Sequence, residues 1–439
     1  MGRSAQTTAG LCEADWWTRP LAALRANRWP DRSRVRAVAL YMLIAYIPMM
    51  AHVFAQATGR VGSDFLAFWG AGRLVLAGTP WDAFNLAAEA AAQAPSHTGQ
   101  MVAYVNPPPY LFLTAPLGLM PFGTAWLAWA ICGWLVWFAA SHPLMPRHPL
   151  AVMAFPAAYL AACHAQNGFV TGALLVAGVS LLARRDAAGQ PDRPDRRDCP
   201  DRRDGPDRRD ANAEMAAGML FGALVIKPHL ALLVPLWLLA GGRWRALAGA
   251  GVSAMALCLA SLIAFGPATW AAYPQSFQVS TMLMTHAPVE FFLRMATPYA
   301  LIRVLLGTSA ATVGQAVITL GCGWLVWHAT RRHGANAGTG ALMLAATTIA
   351  SPYLFSYDLP FLIQPVAWLA GSAALSGWRP WEKATVIALY MAPLATRAAA
   401  LPLHANLMPL AGLALVWVIA SRLRRFGPDG AGTEQPALA

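Results

Sequence analysis

Thr58–Asn85 reads TGRVGSDFLAFWGAGRLVLAGTPWDAFN and follows the first long apolar run of the chain. Phe65, Phe68, Trp69, Leu74, Val75 and Leu76 recur in it at helical spacing, which predicts a helix just beyond a membrane exit. Asp64 stands before that helix, between Ser63 and Phe65. It has two readings. In one, Ser63 caps the helix and Asp64 sits in its first turn, where a carboxylate suits the helix dipole. In the other, Asp64 is held at the membrane surface to take a proton from a hydroxyl.

Composition sets the surroundings. Of 439 residues, 57% are hydrophobic and 12% charged, against about 25% charged in a soluble domain. The chain is therefore read as solvated mostly by lipid. The net charge of +12 does not imply nucleic acid, because the basic residues fall in short clusters between apolar runs, where the positive-inside rule places them. There is no glycine-rich phosphate loop, zinc-type cysteine spacing or nucleophile elbow, so neither a metal nor another cofactor is expected. The six cysteines are scattered and read as small core residues.

Working outward from Thr58, residues 1–35 set Trp16, Trp17 and Trp29 among arginines, which predicts a cytoplasmic arm on the inner leaflet. Residues 36–183 form an N-terminal transmembrane part, whose first run, 37–57, has spanning length. Arg32, Arg34 and Arg36 precede that run, so the N-terminus is expected inside and the first outer loop, 58–107, outside. Pro107-Pro108-Pro109 cannot continue a helix, so 109–121 is expected as a short dipping or interfacial piece. Spans follow at 122–141, 150–163 and 169–183. Residues 184–214 carry the repeated unit PDRRD and predict a disordered cytoplasmic loop. The C-terminal transmembrane part, 215–421, holds spans near 215–226, 230–240, 246–266, 311–329, 340–355, 359–376, 384–397 and 405–421, and 422–439 is a cytoplasmic tail. The expected fold is all-α and polytopic, with about 12 transmembrane helices and amphipathic interfacial helices in the first outer loop.

The arginine clusters alone set this alternation, yet every polar interruption of the spans lands on the outer side. These interruptions are Asp64, Asn106, Gln166-Asn167, Lys227-Pro228-His229, His286 in the second long loop, and Ser356-Tyr357-Asp358. Ionisable groups at membrane depth are costly and mark sites. Arg60, Arg73, Arg294, Arg303 and Arg397 are also on the outer side, where single arginines reach toward headgroups. Lys227 differs, because Pro228 breaks the helix beside it, and a lysine with a histidine at a broken helix suits a phosphate. Arg73 follows Asp64 on the same predicted helix. A carboxylate base beside phosphate-binding cations points to transfer from a phosphate-linked donor.

Several stretches resemble glycosyltransferase family 87: Asp64-Phe65 with Trp69 to Pro80, NPPPYLFLTAPLGLMP (106–121), Gln166-Asn167-Gly168, KPHLALLVPLWLLAGGRWRALAG (227–249) and SPYLFSYDLPFL (351–362). The resemblance runs from about residue 36 to 420. It implies a GT-C type polytopic enzyme, similar to mycobacterial mannosyltransferases that build phosphatidylinositol mannosides. It also implies a polyprenyl-phosphate sugar as donor, no obligatory metal, and Asp64 as catalytic base. Where actinobacterial members carry a histidine pair, this chain has Tyr357 and Asp358.

The expected function is an inverting glycosyltransferase that moves a hexose, mannose first among candidates, or a related sugar from a polyprenyl-phosphate donor onto a lipid or glycan acceptor. It is expected in the bacterial inner membrane, with its site facing the periplasm, and to act in building the cell envelope. Asp64 is the expected catalytic base. Lys227, His229, Arg73 and Tyr357 are expected at the donor phosphate. Asn106, Gln166, Asn167, Asp358, Trp69, Tyr104 and His286 are expected at the acceptor and sugar. Asp358 has two further readings, as a partner of Lys227 and as a helix N-cap. The rival class is a lipid or sugar transporter or flippase with the same outward polar groups. The paired broken helices in two repeated halves typical of such proteins are not found.

Overall fold

The computed structural model describes residues 18–27, 30–188 and 206–424. Among them are helices and turns without a strand, and one isolated bridge joins Met295 to Phe355. Six helices are long and apolar enough to cross a membrane: Arg32–Ala57, Phe122–Leu144, Trp244–Ala272, Thr308–His333, Ser356–Ser376 and Glu382–Leu403. Shorter apolar helices cover Leu66–Leu76, Pro149–His164, Gly168–Ala183, Ala211–Ile226, Pro228–Ala240, Ala337–Ala350 and Met408–Leu423. With Leu66–Leu76 set aside, these elements fall one by one on the apolar runs of the sequence. The chain is an all-α polytopic membrane protein.

Local chemistry fixes the helix ends. Asp31 accepts from the Arg34 amide at 2.9 Å and caps the first span. Asn336 caps Ala337–Ala350 through a capping box. Pro149, Pro156 and Pro298 open helices, where a missing amide proton costs nothing. Gly266, at φ +79°, divides the long Trp244–Ala272 helix just before Pro267, where the run 246–266 was expected to stop.

Burial is inverted relative to a soluble protein. Ile263 is 77% exposed, Leu320 74% and Ile47 68%, surfaces that only lipid covers without penalty. Meanwhile Gly338 to Ala350 are all buried, and ionisable pairs lie inside. The small residues of that helix (AGTGALMLAATTIA) let its neighbours approach closely.

The segment 58–107, expected as the first outer loop, is a packed lobe. Residues Leu66 to Gly72 are buried on every face, so this helix is more enclosed than an amphipathic interfacial helix. The cause is a close approach by the segment after the prolines. A Cβ on Gly72 would lie 2.2 Å from the Thr114 carbonyl oxygen. That segment is the broken piece expected over 109–121: Pro108–Tyr110 and Ala115–Leu119 are 3-10 turns flanking Leu111–Thr114.

Contacts gather the connections at two ends. At one end, Arg32 donates to the Arg147 carbonyl at 3.3 Å, Asn27 to that of Arg379 at 2.7 Å, Arg379 to that of Ser421 at 3.2 Å, and Arg243 to that of Ala335 at 2.9 Å. The buried Arg422–Glu382 pair, at 3.2 Å, joins them. The other end holds Asp64. Trp16, Trp17 and Trp29, most of the PDRRD repeat and the end of the tail lie outside the described residues. Helix continues to Ala188 and resumes at Pro206, at both margins of the segment expected as a loop.

Candidate active site

Asp64 lies in the turn before the Leu66–Leu76 helix and does not cap it; the N-cap position is Phe65, without a side-chain bond. Ser63 does not cap it either. Its Oγ donates to the His164 carbonyl at 3.3 Å and accepts from the Phe65 amide and Trp126 Nε1, each at 3.3 Å. This knot turns the Asp64 carboxylate toward His164, with Oδ2 and Nδ1 3.6 Å apart and the Asp64 side chain 29% exposed. Burial pushes the Asp64 pKa up, but the facing His164 imidazole, with Arg294 and Lys227 farther off, holds it below the usual carboxylate range. Asp64 is therefore ionised at neutral pH, the state a proton acceptor needs, and open to a substrate.

His164 ends a helix, and the chain turns sharply after it. Ala165 is fully buried at φ +44°, an uncommon conformation for a residue with a Cβ. The turn sends Asn167 inward. Its Nδ2 donates to Asn106 Oδ1 at 3.4 Å, and its Oδ1 accepts from Lys227 Nζ at 2.8 Å. Lys227 sits at the break between two 3-10 turns, with φ −152° and ψ 71°. Its Nζ also meets Asp358 Oδ1 at 2.5 Å. Asp358 Oδ2 accepts from the Phe355 amide at 3.1 Å; Phe355, not Asp358, is the N-cap, so this one buried carboxylate, at N3, bonds back to the N-cap amide and pairs with Lys227. The Tyr357 ring lies between the Lys227–Asp358 and His164–Asp64 pairs, 5.3 Å from Lys227 Nζ and 5.2 Å from the His164 ring. A Cβ on Gly168 would lie 1.9 Å from the Tyr357 carbonyl oxygen. Only glycine lets the Gln166-Asn167-Gly168 turn close on the Tyr357 loop.

This assembly, built from the segments around Asn106, Gln166, Lys227 and Ser356, coincides with a sequence match. Residues 104–356, more than half of the chain, match glycosyltransferase family 87. The chain belongs to that family. No curated protein and no solved structure matches it. The protein is thus a membrane glycosyltransferase. Asp64 lies ahead of the matched stretch, and Asp358 two residues beyond it.

The other expected site residues of this family 87 chain are distributed unevenly. His229 is close to the assembly, its ring 5.8 Å from that of Tyr353 and its buried Nε2 without a partner. Gln166 is partly exposed between His164 and Asn167. Tyr104 is a layer deeper, packed on Phe84 and Tyr110, its hydroxyl unpartnered. Trp69 is 2% exposed and donates through Nε1 to the Met120 carbonyl at 2.9 Å. Arg73 stacks on Trp69, 4.9 Å from ring centre, and no contact joins it to Asp64. His286 is exposed at a helix end, with Nδ1 2.7 Å from Thr285 Oγ1. Sequence reasoning missed His164 as the partner of Asp64. The signal present was its place in the polar gap before Gln166.

Proposed function

We propose that this family 87 enzyme transfers a hexose, mannose first among candidates, or a related sugar from a polyprenyl-phosphate donor to a hydroxyl of a lipid or glycan acceptor. The site faces the extracytoplasmic side of a bacterial inner membrane, and transfer inverts the anomeric centre. The observation that carries the reading is the ionised, partly exposed Asp64 beside His164, at the end of the bundle where the polar breaks converge. Asp64 takes the acceptor proton as the hydroxyl oxygen attacks the anomeric carbon. The bond from that carbon to the phosphate oxygen breaks, its electron pair leaves with the phosphate, and polyprenyl phosphate is released. Lys227, engaged by Asp358 and Asn167, supports the floor of the site and steadies Tyr357. His229 and Gln166, each with hydrogen-bonding capacity unfilled, are free to bond the donor phosphate and the acceptor or sugar hydroxyls, respectively.

The test supplies membranes containing the protein with labelled polyprenyl-phosphate mannose, glucose or arabinose and identifies the product. A labelled glycolipid or glycan from one donor, absent without the protein, is the expected result. No product from any donor, with the folded protein present, overturns the reading.

A further inference from the structure

The charges of the site do not cancel. Lys227 is neutralised by Asp358, and against the one carboxylate of Asp64 two arginines at the same end have no ion-pair partner within 4.0 Å among the described residues. Arg294 is exposed and acts electrostatically on Asp64, Tyr357 and Arg397. Arg397 lies on Glu382–Leu403, which packs against the Cys163-His164 helix, the Val289–Leu293 helix and the Tyr357 turn, and it feels both Arg294 and Cys163. Among the described residues neither guanidinium forms an ion pair within 4.0 Å or donates a hydrogen bond, Glu290 one turn before Arg294 included.

The backbone under Arg294 is held at every step. Asn406 Nδ2 donates to the carbonyls of Leu293 at 3.1 Å and Met295 at 2.9 Å. The Arg294 carbonyl itself accepts from the Ser356 amide at 3.1 Å and from Ser356 Oγ at 2.9 Å. The Ala296 amide donates to the Leu354 carbonyl at 2.8 Å. Four successive residues are thus tied to two other elements, while the side chain they carry is free. A headgroup anchor needs no such scaffold; a preorganised ligand contact does.

We propose that Arg294 and Arg397 form the site for a phosphate ester beside Asp64, and hold the phosphate of the donor. The donor identity rests on the proposed function; the anion site does not. Guanidinium groups offer planar forks matched to phosphate oxygens. A polyprenyl-phosphate sugar enters as a diester with one negative charge and leaves a monoester bearing about −1.5 to −2. Two unpaired cations therefore hold the departing phosphate more strongly than the bound donor, which favours transfer.

Farnesyl phosphate, with no sugar to transfer, tests the site independently of turnover. Its binding to the detergent-purified protein is measured for wild type, Arg294→Gln, Arg397→Gln, the double variant and Arg294→Lys, with folding checked by thermal unfolding. Expected is at least a tenfold loss in each Gln variant, a larger loss in the double variant, and partial retention in Arg294→Lys. Competition with inorganic phosphate and with phosphatidylglycerol separates donor from headgroup. Farnesyl phosphate resisting both competitors supports the donor site. Equal displacement by phosphatidylglycerol makes the arginines a headgroup anchor and overturns it, as does unchanged binding in the folded double variant. Arginine-dependent binding without any sugar transfer upholds the anion site and overturns the proposed function alone.

Discussion

His164 and Asp64 stand about a hundred positions apart in sequence and 3.6 Å apart in space, and their pairing has a consequence for pH. The imidazole is what offsets burial at Asp64. In His164→Gln, burial acts unopposed by that partner, so the Asp64 pKa rises. Arg294 and Lys227 still pull it down, and Tyr353 and Tyr357 face it as neutral rings. A base must be deprotonated, so activity is lost as pH falls through its pKa, and the acid limb of kcat/KM moves to higher pH. A profile superimposable on that of wild type shows that His164 only packs. Asp64 and Lys227 were legible in the sequence because a charge beside an apolar run stands out. The His164 partner was not, because pattern within one segment carries no information on which distant segment faces it. Trp69 was read as a pocket aromatic because it lies at the outer end. It is core because Leu66 to Gly72 are buried on all sides.

At the scale of elements, Pro228 revealed the break at Lys227, and the break explains why a lysine is tolerated there. Its bonds to Asp358 and Asn167 bind three helical segments into one floor. Removing one partner of a buried pair leaves an uncompensated charge, at a cost of about 3–5 kcal/mol. Lys227→Met is expected to lower stability by that amount. Adding Asp358→Leu removes the stranded carboxylate and recovers most of the loss, short of about 1 kcal/mol for the cap to the Phe355 amide. Thermal unfolding of both variants in detergent checks this; a double variant no more stable than the single one means that the pair is not what joins the segments. The spans themselves were legible because hydropathy needs only composition over a run. The enclosure of Leu66 to Gly72 was not, since it depends on Gly72 meeting Thr114.

The whole molecule has two chemically distinct ends, one with Asp64 and the converging breaks, the other with the Arg32–Arg147 and Arg422–Glu382 contacts. The proposed orientation, from the arginine alternation, has the first facing out. Arg60→Cys and His286→Cys are expected to react with an impermeant maleimide on intact cells, and Arg147→Cys and Arg332→Cys only after permeabilisation. Reaction of Arg60→Cys and Arg147→Cys from the same side breaks the topology. What the two-ended bundle is for comes down to Asp64, and is read by comparing wild type with Asp64→Asn in proteoliposomes with a labelled polyprenyl-phosphate sugar and its acceptor. Asparagine keeps the size and the hydrogen bonding of the carboxylate and loses only its capacity to accept a proton. Turnover is expected to fall by roughly a hundredfold or more while donor binding stays near that of wild type. Full turnover in Asp64→Asn contradicts the assignment of Asp64 as the base.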